Sequence, residues 1–93
     1  MISCEGDRCR IDGPLTMANV TGVLEESSRA FRAKDLLVDL SGVTEVDSAA
    51  VSLLLEWRRQ AFASNRRIEY VNLPSALKSL ADLYGVSDLL GAA

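Results

Sequence analysis

The chain has 93 residues, 48% hydrophobic and 25% charged, which is the composition of one small globular domain. Its 13 acidic residues outnumber the 10 basic ones, and the formal net charge of −3 disfavours nucleic acid and anionic lipid as partners. The sequence contains no histidine, so it lacks the usual general base and the commonest metal ligand. We therefore expect one domain over residues 1–93 that is not an enzyme and uses no metal or cofactor.

The expected location follows from two features of the hydropathy. No apolar run approaches the roughly 18 to 20 residues of a spanning helix, and the first residues, MISCEGDRCR, lack a signal-peptide apolar stretch. We expect a cytoplasmic protein without direct membrane insertion. A reducing compartment then predicts free thiols at Cys4 and Cys9, since buried cysteine usually behaves as a small hydrophobic residue.

The opening segment predicts a β-hairpin. Ile2 and Cys4 alternate with a polar residue before Gly6-Asp7, a glycine-first two-residue turn, and Cys9 and Ile11 alternate with arginines after it. In this register Cys4 lies opposite Cys9 and Ile2 opposite Ile11, on one inward-facing side. A cross-strand disulfide is geometrically conceivable there.

A first helix is predicted after the hairpin. Gly13-Pro14 should break the second strand, and Thr16 is a candidate N-cap. Apolar residues at roughly helical spacing predict a helix over residues 17–33, weakened by Gly22.

Alternating strands and helices complete the chain. The apolar run at 36–40 predicts a central strand covered on both faces. Ser41-Gly42 should turn the chain, and 43–46 should cross the sheet edge. A helix over 48–63 and a strand over 67–71 follow.

The C-terminal part predicts one more helix. Pro74 suits its first turn and Gly85 its end, and a short apolar tail should fold back before residues 91–93 fray. The order β-β-α-β-α-β-α implies an α/β fold with a mixed sheet of four to five strands and helices packed on it.

The helix predicted over 48–63 carries an unusually wide apolar arc. A helical wheel gives it one core face: Ala50, Leu53, Leu54, Trp57 and Ala61. Beside that face lies an apolar strip of Val51, Leu55 and Phe62, bordered by Ser48, Ser52 and Arg59. The strip is either a docking surface or a contact with a neighbouring helix, and the wheel alone favours the second interpretation.

Ser48 is ambiguous from its position alone. Asp47 or Ser48 is expected to cap the helix, and a serine there is most often only a cap. Phosphate on Ser48 would be favoured by the helix N-terminus and opposed by Asp47 and Glu45.

Residues 35–57, DLLVDLSGVTEVDSAAVSLLLEW, resemble the core of STAS domains, with a buried strand, a Val-Asp loop and a serine opening a helix. Gly6-Asp7, Asn72-Leu73-Pro74 and the ending LADLYGVSDLL at 80–90 are similar to the MlaB branch, the STAS subunits of Mla phospholipid transporters. Together these features span nearly the whole chain.

This resemblance implies a non-catalytic STAS subunit of an ABC-type phospholipid transporter. Such a subunit binds the cytoplasmic ATPase and supports the ATPase–permease complex, so it is peripheral to the inner membrane. In this family the helix opened by Ser or Thr faces the partner, which reverses the preference drawn from the wheel. The candidate partner-binding residues are Asp47, Ser48, Val51, Ser52 and Leu55, with the bordering Arg59.

A second branch offers the main alternative. Anti-sigma factor antagonists of the STAS superfamily are switched by a serine kinase that phosphorylates the serine matching Ser48. Their motif usually continues Ser-Ser-Gly, whereas here Ala49-Ala50 follow and lack the glycine that eases close approach of a kinase backbone. Whether the free protein forms a weak homodimer is left open.

Overall fold

The computed structural model describes residues 1–91, which form four strands and four helices. In chain order the elements are β1 (Ile2–Glu5), β2 (Arg8–Leu15), α1 (Val20–Ala30), β3 (Asp35–Val46), α2 (Ser48–Ala63), β4 (Arg67–Val71), α3 (Ser75–Leu83) and α4 (Ser87–Leu90). The predicted bounds of the 48–63 helix and the 67–71 strand are confirmed. The fraying expected at the C-terminus falls partly on residues 92–93, which lie outside the described residues.

The strands form one mixed sheet in the order β1-β2-β3-β4. β1 and β2 are antiparallel, whereas β2 with β3 and β3 with β4 are parallel. Parallel neighbours need a crossover connection, which α1 and α2 supply. The predicted α/β class and mixed sheet are therefore confirmed, with four strands among residues 1–91.

The hairpin register is confirmed, but the prediction of free thiols is wrong. Ile2 pairs with Ile11 and Cys4 with Cys9. Cys9 is buried whereas Cys4 is exposed, and the two sulfur atoms form a disulfide between Cα atoms 4.0 Å apart. Directly opposed residues of antiparallel strands place their Cβ atoms within reach of such a bond.

Gly13-Pro14 does not end β2, because the strand continues to Leu15. β1 accompanies β2 only as far as the bond from the Asp12 N–H to the Met1 carbonyl, 2.8 Å. Pro14 lies beyond that point, so its missing N–H removes no bond to β1.

Ser41-Gly42 does not turn the chain either, because β3 continues through it to Val46. Register shifts between Arg10 and Asp12 and between Gly13 and Leu15 let the two strands bend together, and residues 43–46 stay paired with β2. A Cβ atom on Gly42 would lie 2.8 Å from the Ile11 carbonyl oxygen. The glycine therefore permits close strand approach.

The first helix begins later and ends earlier than the predicted 17–33. Thr16 donates its backbone N–H to the Asn19 Oδ1 atom at 2.7 Å, and the Asn19 N–H returns to the Thr16 carbonyl at 3.0 Å. This local turn occupies the residues before Val20, so Asn19 and not Thr16 precedes α1.

The helices lie on one face of the sheet. All five predicted core residues of α2 are buried, and the Tyr70 hydroxyl of β4 donates to the Leu54 carbonyl at 2.6 Å. Trp57 meets the Phe31 ring edge-on at 4.9 Å and donates its Nε1–H to the Ser27 hydroxyl at 2.8 Å. These contacts join α1, α2 and the sheet in one core.

The other sheet face is polar, so β3 is not covered by helices on both faces. The register places Arg8 beside Leu37 and Arg10 beside Asp39, and both arginines are exposed. Asp39 itself is buried and accepts hydrogen bonds from the Ser41 N–H at 2.9 Å, the Asn72 amide at 3.1 Å and the Arg8 guanidinium at 3.0 Å. These bonds, the Ser41 N–H first, hold the pKa of Asp39 well below its ordinary value.

Candidate functional site

Asp47 organises the N-terminal end of α2. Its Oδ1 atom accepts the Ala49 N–H at 2.8 Å, so Asp47 is the N-cap and Ser48 is the first helical residue. The other carboxylate oxygen, Oδ2, accepts the Met17 N–H at 2.9 Å. One side chain therefore caps α2 and ties the loop between β2 and α1 to it.

Four of the predicted residues lie along one face of α2. Ser48, Ser52, Leu55 and Arg59 follow the spacing i, i+4, i+7 and i+11, which aligns side chains on a helix. Ser48, Ser52 and Arg59 are exposed, and Leu55 is half-buried against the edge of the core. We call Ser48, Ser52 and Leu55, together with Met17 of the tied loop, the serine surface.

The predicted apolar strip is divided by the structure. Val51 is only 3% exposed and belongs to the core, so in the free chain it is not available to a partner. Phe62 is 69% exposed, and the Arg58 guanidinium lies 4.9 Å from the centre of its ring. The interpretation that the strip only packs inside the protein is correct for Val51, partly correct for Leu55 and wrong for Phe62.

Arg59 is held in a local ion pair. Its Nε and Nη2 atoms lie 2.9 and 2.6 Å from the two carboxylate oxygens of Glu56, one turn earlier on α2. The bond raises the pKa of Arg59 and lowers that of Glu56. Because the charges offset one another, Arg59 adds a planar polar group to the border of the serine surface and little net charge.

Met17 is the residue of this surface that the sequence did not identify. Its side chain is 75% exposed, although methionine is usually buried, and its backbone is held beside the α2 cap by Asp47. The helical pattern assigned Met17 to α1 and concealed its position. One signal was available in the sequence. An N-cap needs only one oxygen of the Asp47 carboxylate, so the other oxygen was free to bind a second backbone N–H.

The Asp47 carboxylate dominates the surroundings of Ser48. Ser48 stands beside a carboxylate that is already occupied by two backbone N–H groups. Within residues 1–91 no cluster of three or more potential ligands could hold a metal ion. Over the same residues, no helix is both long enough and apolar enough to pass through a bilayer.

The structure is that of a small α/β domain in which the start of α2 is exposed. A protein-family model described as "Mlab, STAS domain" matches residues 3–91. The chain therefore belongs to the STAS-domain family. Members of this family are typically non-catalytic regulatory proteins that act through protein–protein interactions.

Solved structures agree on the fold. The structure of the anti-sigma factor antagonist SpoIIAA in its unphosphorylated form matches over 97% of this chain and 84% of that chain, with a TM-score of 0.75 and 17% identity. Two structures of Mglu, one in its native form, have TM-scores of 0.60 and 0.55 at 22% and 20% identity. They align with 78% and 74% of this chain but only 19% and 22% of the Mglu chains. The search of curated proteins gave no match.

Proposed function

We propose that this protein is a non-catalytic STAS subunit that binds the cytoplasmic ATPase of an ABC-type phospholipid transporter through the serine surface. In that role it supports assembly or activity of the ATPase–permease complex. It is a cytoplasmic protein held at the inner membrane by its partner. The family match to the description "Mlab" over residues 3–91 is the observation that favours this branch.

The geometry of the serine surface supports docking. Ser48 and Ser52 leave the helix face low and free of long side chains, so a partner backbone can approach α2 closely. The exposed side chain of Met17 is flexible and apolar and adapts to an opposing surface. Half-buried Leu55 adds an apolar contact at the edge of this polar face, and protein interfaces commonly combine both kinds of group.

A phosphorylation-controlled partner switch is the second candidate. It is favoured by the exposed Ser48 hydroxyl at the start of α2 and by the fold shared with SpoIIAA. Charge argues against it, because a phosphate on Ser48 would lie next to the Asp47 carboxylate and near exposed Glu45. Those groups offset the attraction of the helix N-terminus for an anion.

The first experiment is co-purification of the tagged protein with the ATPase of an ABC transporter from its native cells. Ser52→Arg places a long charged side chain in the middle of the serine surface and should abolish retention of the ATPase. Ser79→Arg makes the same change on an exposed position of α3 and is the matched control. The free energy of unfolding of both variants should lie within about 0.5 kcal/mol of the wild-type value, since substitutions at exposed positions usually have effects of this size.

The outcomes separate the two candidates. Retention of an ABC ATPase by the wild type and Ser79→Arg, but not by Ser52→Arg, supports the transporter subunit. Retention by all three would refute docking through this surface. Recovery of a serine kinase instead, with phosphate on Ser48 by mass spectrometry and none in Ser48→Ala, would establish the switch. Self-association alone would make the surface a homodimer contact.

A further inference from the structure

A pocket of about 300 Å³ lies at the opposite end of α2 from the serine surface. It opens between the C-terminal ends of α1 and α2 and the first residues of β3 and β4. The Phe31 and Trp57 rings line it, together with the apolar side chains of Leu36 and Ile68. Its volume is at the lower limit of roughly 300 to 1,000 Å³ for small-molecule pockets.

The charge lining this pocket is opposite to that of the protein. Arg66 and Arg67 line it, and no acidic residue does so among residues 1–91, although the chain carries a net charge of −3. Neither arginine takes part in the ion pairs found between the described residues. Both arginines also line an adjoining depression with Asp7, Asp35 and Glu69, but among the described residues no carboxylate lies within ion-pair distance of either guanidinium. The pocket therefore has two cationic groups and no acidic side chain from residues 1–91 in its own lining.

Arg66 is held in position at this pocket. Its Nη1 atom donates to the carbonyl of Phe31, the residue that ends α1, at 2.8 Å. A guanidinium has five N–H donors, and this bond uses one of them. The remaining donors suit the planar oxygen pairs of a carboxylate or the oxygens of a phosphate.

The polar groups deeper in the pocket are already satisfied. The Trp57 Nε1–H donates to the Ser27 hydroxyl, which itself donates to the Leu24 carbonyl at 2.6 Å. The indole N–H is therefore not available to a ligand. Because Trp57 is only 2% exposed, its ring lies under the pocket, and the half-buried side chains of Phe31 and Ile68 supply the accessible apolar surface. A bound molecule would meet apolar surface inside and positive charge at the two arginines.

From this arrangement we infer that the pocket binds a small organic anion with a flat or apolar body, of a size that about 300 Å³ admits. The apolar body packs on Phe31 and Ile68 above the buried Trp57 ring, and the anionic group pairs with Arg66 and Arg67. The α2 residues that line the pocket, Trp57, Gln60 and Ala61, follow Ser48 by 9 to 13 residues, or about 14 to 20 Å at 1.5 Å per residue. None of them belongs to the serine surface, so a ligand here would not occupy the docking site.

The test uses the one tryptophan of the chain. Its indole N–H gives a single NMR signal, which is followed while the protein is titrated with 2-naphthoate and, separately, with its neutral analogue 2-naphthamide. Naphthoate should shift this signal saturably, and naphthamide should bind about tenfold more weakly, as expected when a charge-assisted hydrogen bond is lost.

Matched variants place the anion at the arginines. The Arg67 side chain makes no ion pair within the described residues, so Arg67→Gln removes a charge and breaks no such contact. This variant should bind naphthoate severalfold more weakly, and the double variant with Arg66→Gln about tenfold more weakly. Lys78→Gln removes one positive charge from exposed α3 and should leave the affinity unchanged. An unshifted indole signal in each free variant confirms that the core is intact.

Three results would overturn the inference. They are the absence of a saturable shift of the Trp57 signal, equal binding of naphthoate and naphthamide, and weakening by Lys78→Gln as large as that by Arg67→Gln. The last would show a general effect of net charge and not a site.

Discussion

The inward and outward faces of α2 differ in what they contribute to the protein. The inward face is buried throughout and holds the hydrogen bond from Trp57 to α1. The outward face carries the exposed serines, and its longest polar residue, Arg59, is already paired with Glu56 on the same helix. Substitutions inward should therefore change stability, whereas substitutions at the outward serines should change binding and leave stability almost untouched.

The largest expected effect is that of Trp57→Ala. It removes a side chain that is 2% exposed, its contact with Phe31 and its bond to Ser27. Truncation of a buried tryptophan costs about 3 to 5 kcal/mol of unfolding free energy. Urea unfolding followed by circular dichroism measures it, and a loss below about 1 kcal/mol would show that the inward face is not the centre of the core.

Trp57→Phe separates the ring from its hydrogen bond. Phenylalanine keeps an aromatic contact with Phe31 but leaves the Ser27 hydroxyl without its donor. We expect an intermediate loss, since one buried hydrogen bond is worth about 1 kcal/mol and part of the ring volume is also removed. If Trp57→Phe is as unstable as Trp57→Ala, most of the stabilisation by Trp57 comes from its hydrogen bond and from the shape of the indole.

The second effect concerns Asp39, the buried charge on the open sheet face. Asp39→Asn weakens the acceptor shared by Ser41, Asn72 and Arg8, and should cost about 1 to 3 kcal/mol at pH 7. The folded-state pKa of Asp39 is lowered, so its contribution is complete above the unfolded-state pKa of about 3.9 and decreases as the pH falls below it.

Urea unfolding between about pH 6 and pH 3 tests this dependence. The difference in free energy of unfolding between the wild type and Asp39→Asn should shrink as the pH falls below about 3.9, the pKa of aspartate in the unfolded chain. A difference that stays constant over the whole range would contradict a charged Asp39 in the folded protein.

The third effect is the loss of the cap at the start of α2. Asp47→Ala should cost about 1 to 2 kcal/mol, because it removes the acceptor of the Ala49 N–H and the tie to the Met17 N–H. Asp47→Asn retains one acceptor oxygen and should cost less than Asp47→Ala. Equal losses in the two variants would show that both carboxylate oxygens are needed together. Thermal unfolding of the two variants side by side measures the difference.

Much of the fold could be predicted where local pattern and tertiary packing agree. The turn at Gly6-Asp7 fixes the hairpin register, and the bounds of β4 follow from alternation. The five core residues of α2 follow from the helical period because packing against the sheet uses that same face. In each of these cases one short-range signal decides the structure.

The errors arise where long-range pairing overrides a local signal. Gly13-Pro14 and Ser41-Gly42 resemble chain breakers, yet two register shifts keep β2 and β3 paired through both. Met17 follows a helical pattern, but Asn19 closes a turn there and Asp47 holds the loop from 30 residues away. The serine surface was therefore found in part, and its loop residue was not.

The smallest effect on stability is expected from Phe62→Ser, at the far end of the outward face. Phe62 is 69% exposed, and its contact with Arg58 is of the solvent-exposed kind worth about 0.5 kcal/mol. Fourteen residues of α2 place it about 21 Å from Ser48 at 1.5 Å per residue. If docking is confined to the serine surface, Phe62→Ser should retain the ATPase as the wild type does. If Phe62→Ser loses the ATPase while its stability is unchanged, the contact extends along the whole outward face. Phe62 would then be a binding residue, which would explain why a large apolar side chain is exposed to solvent.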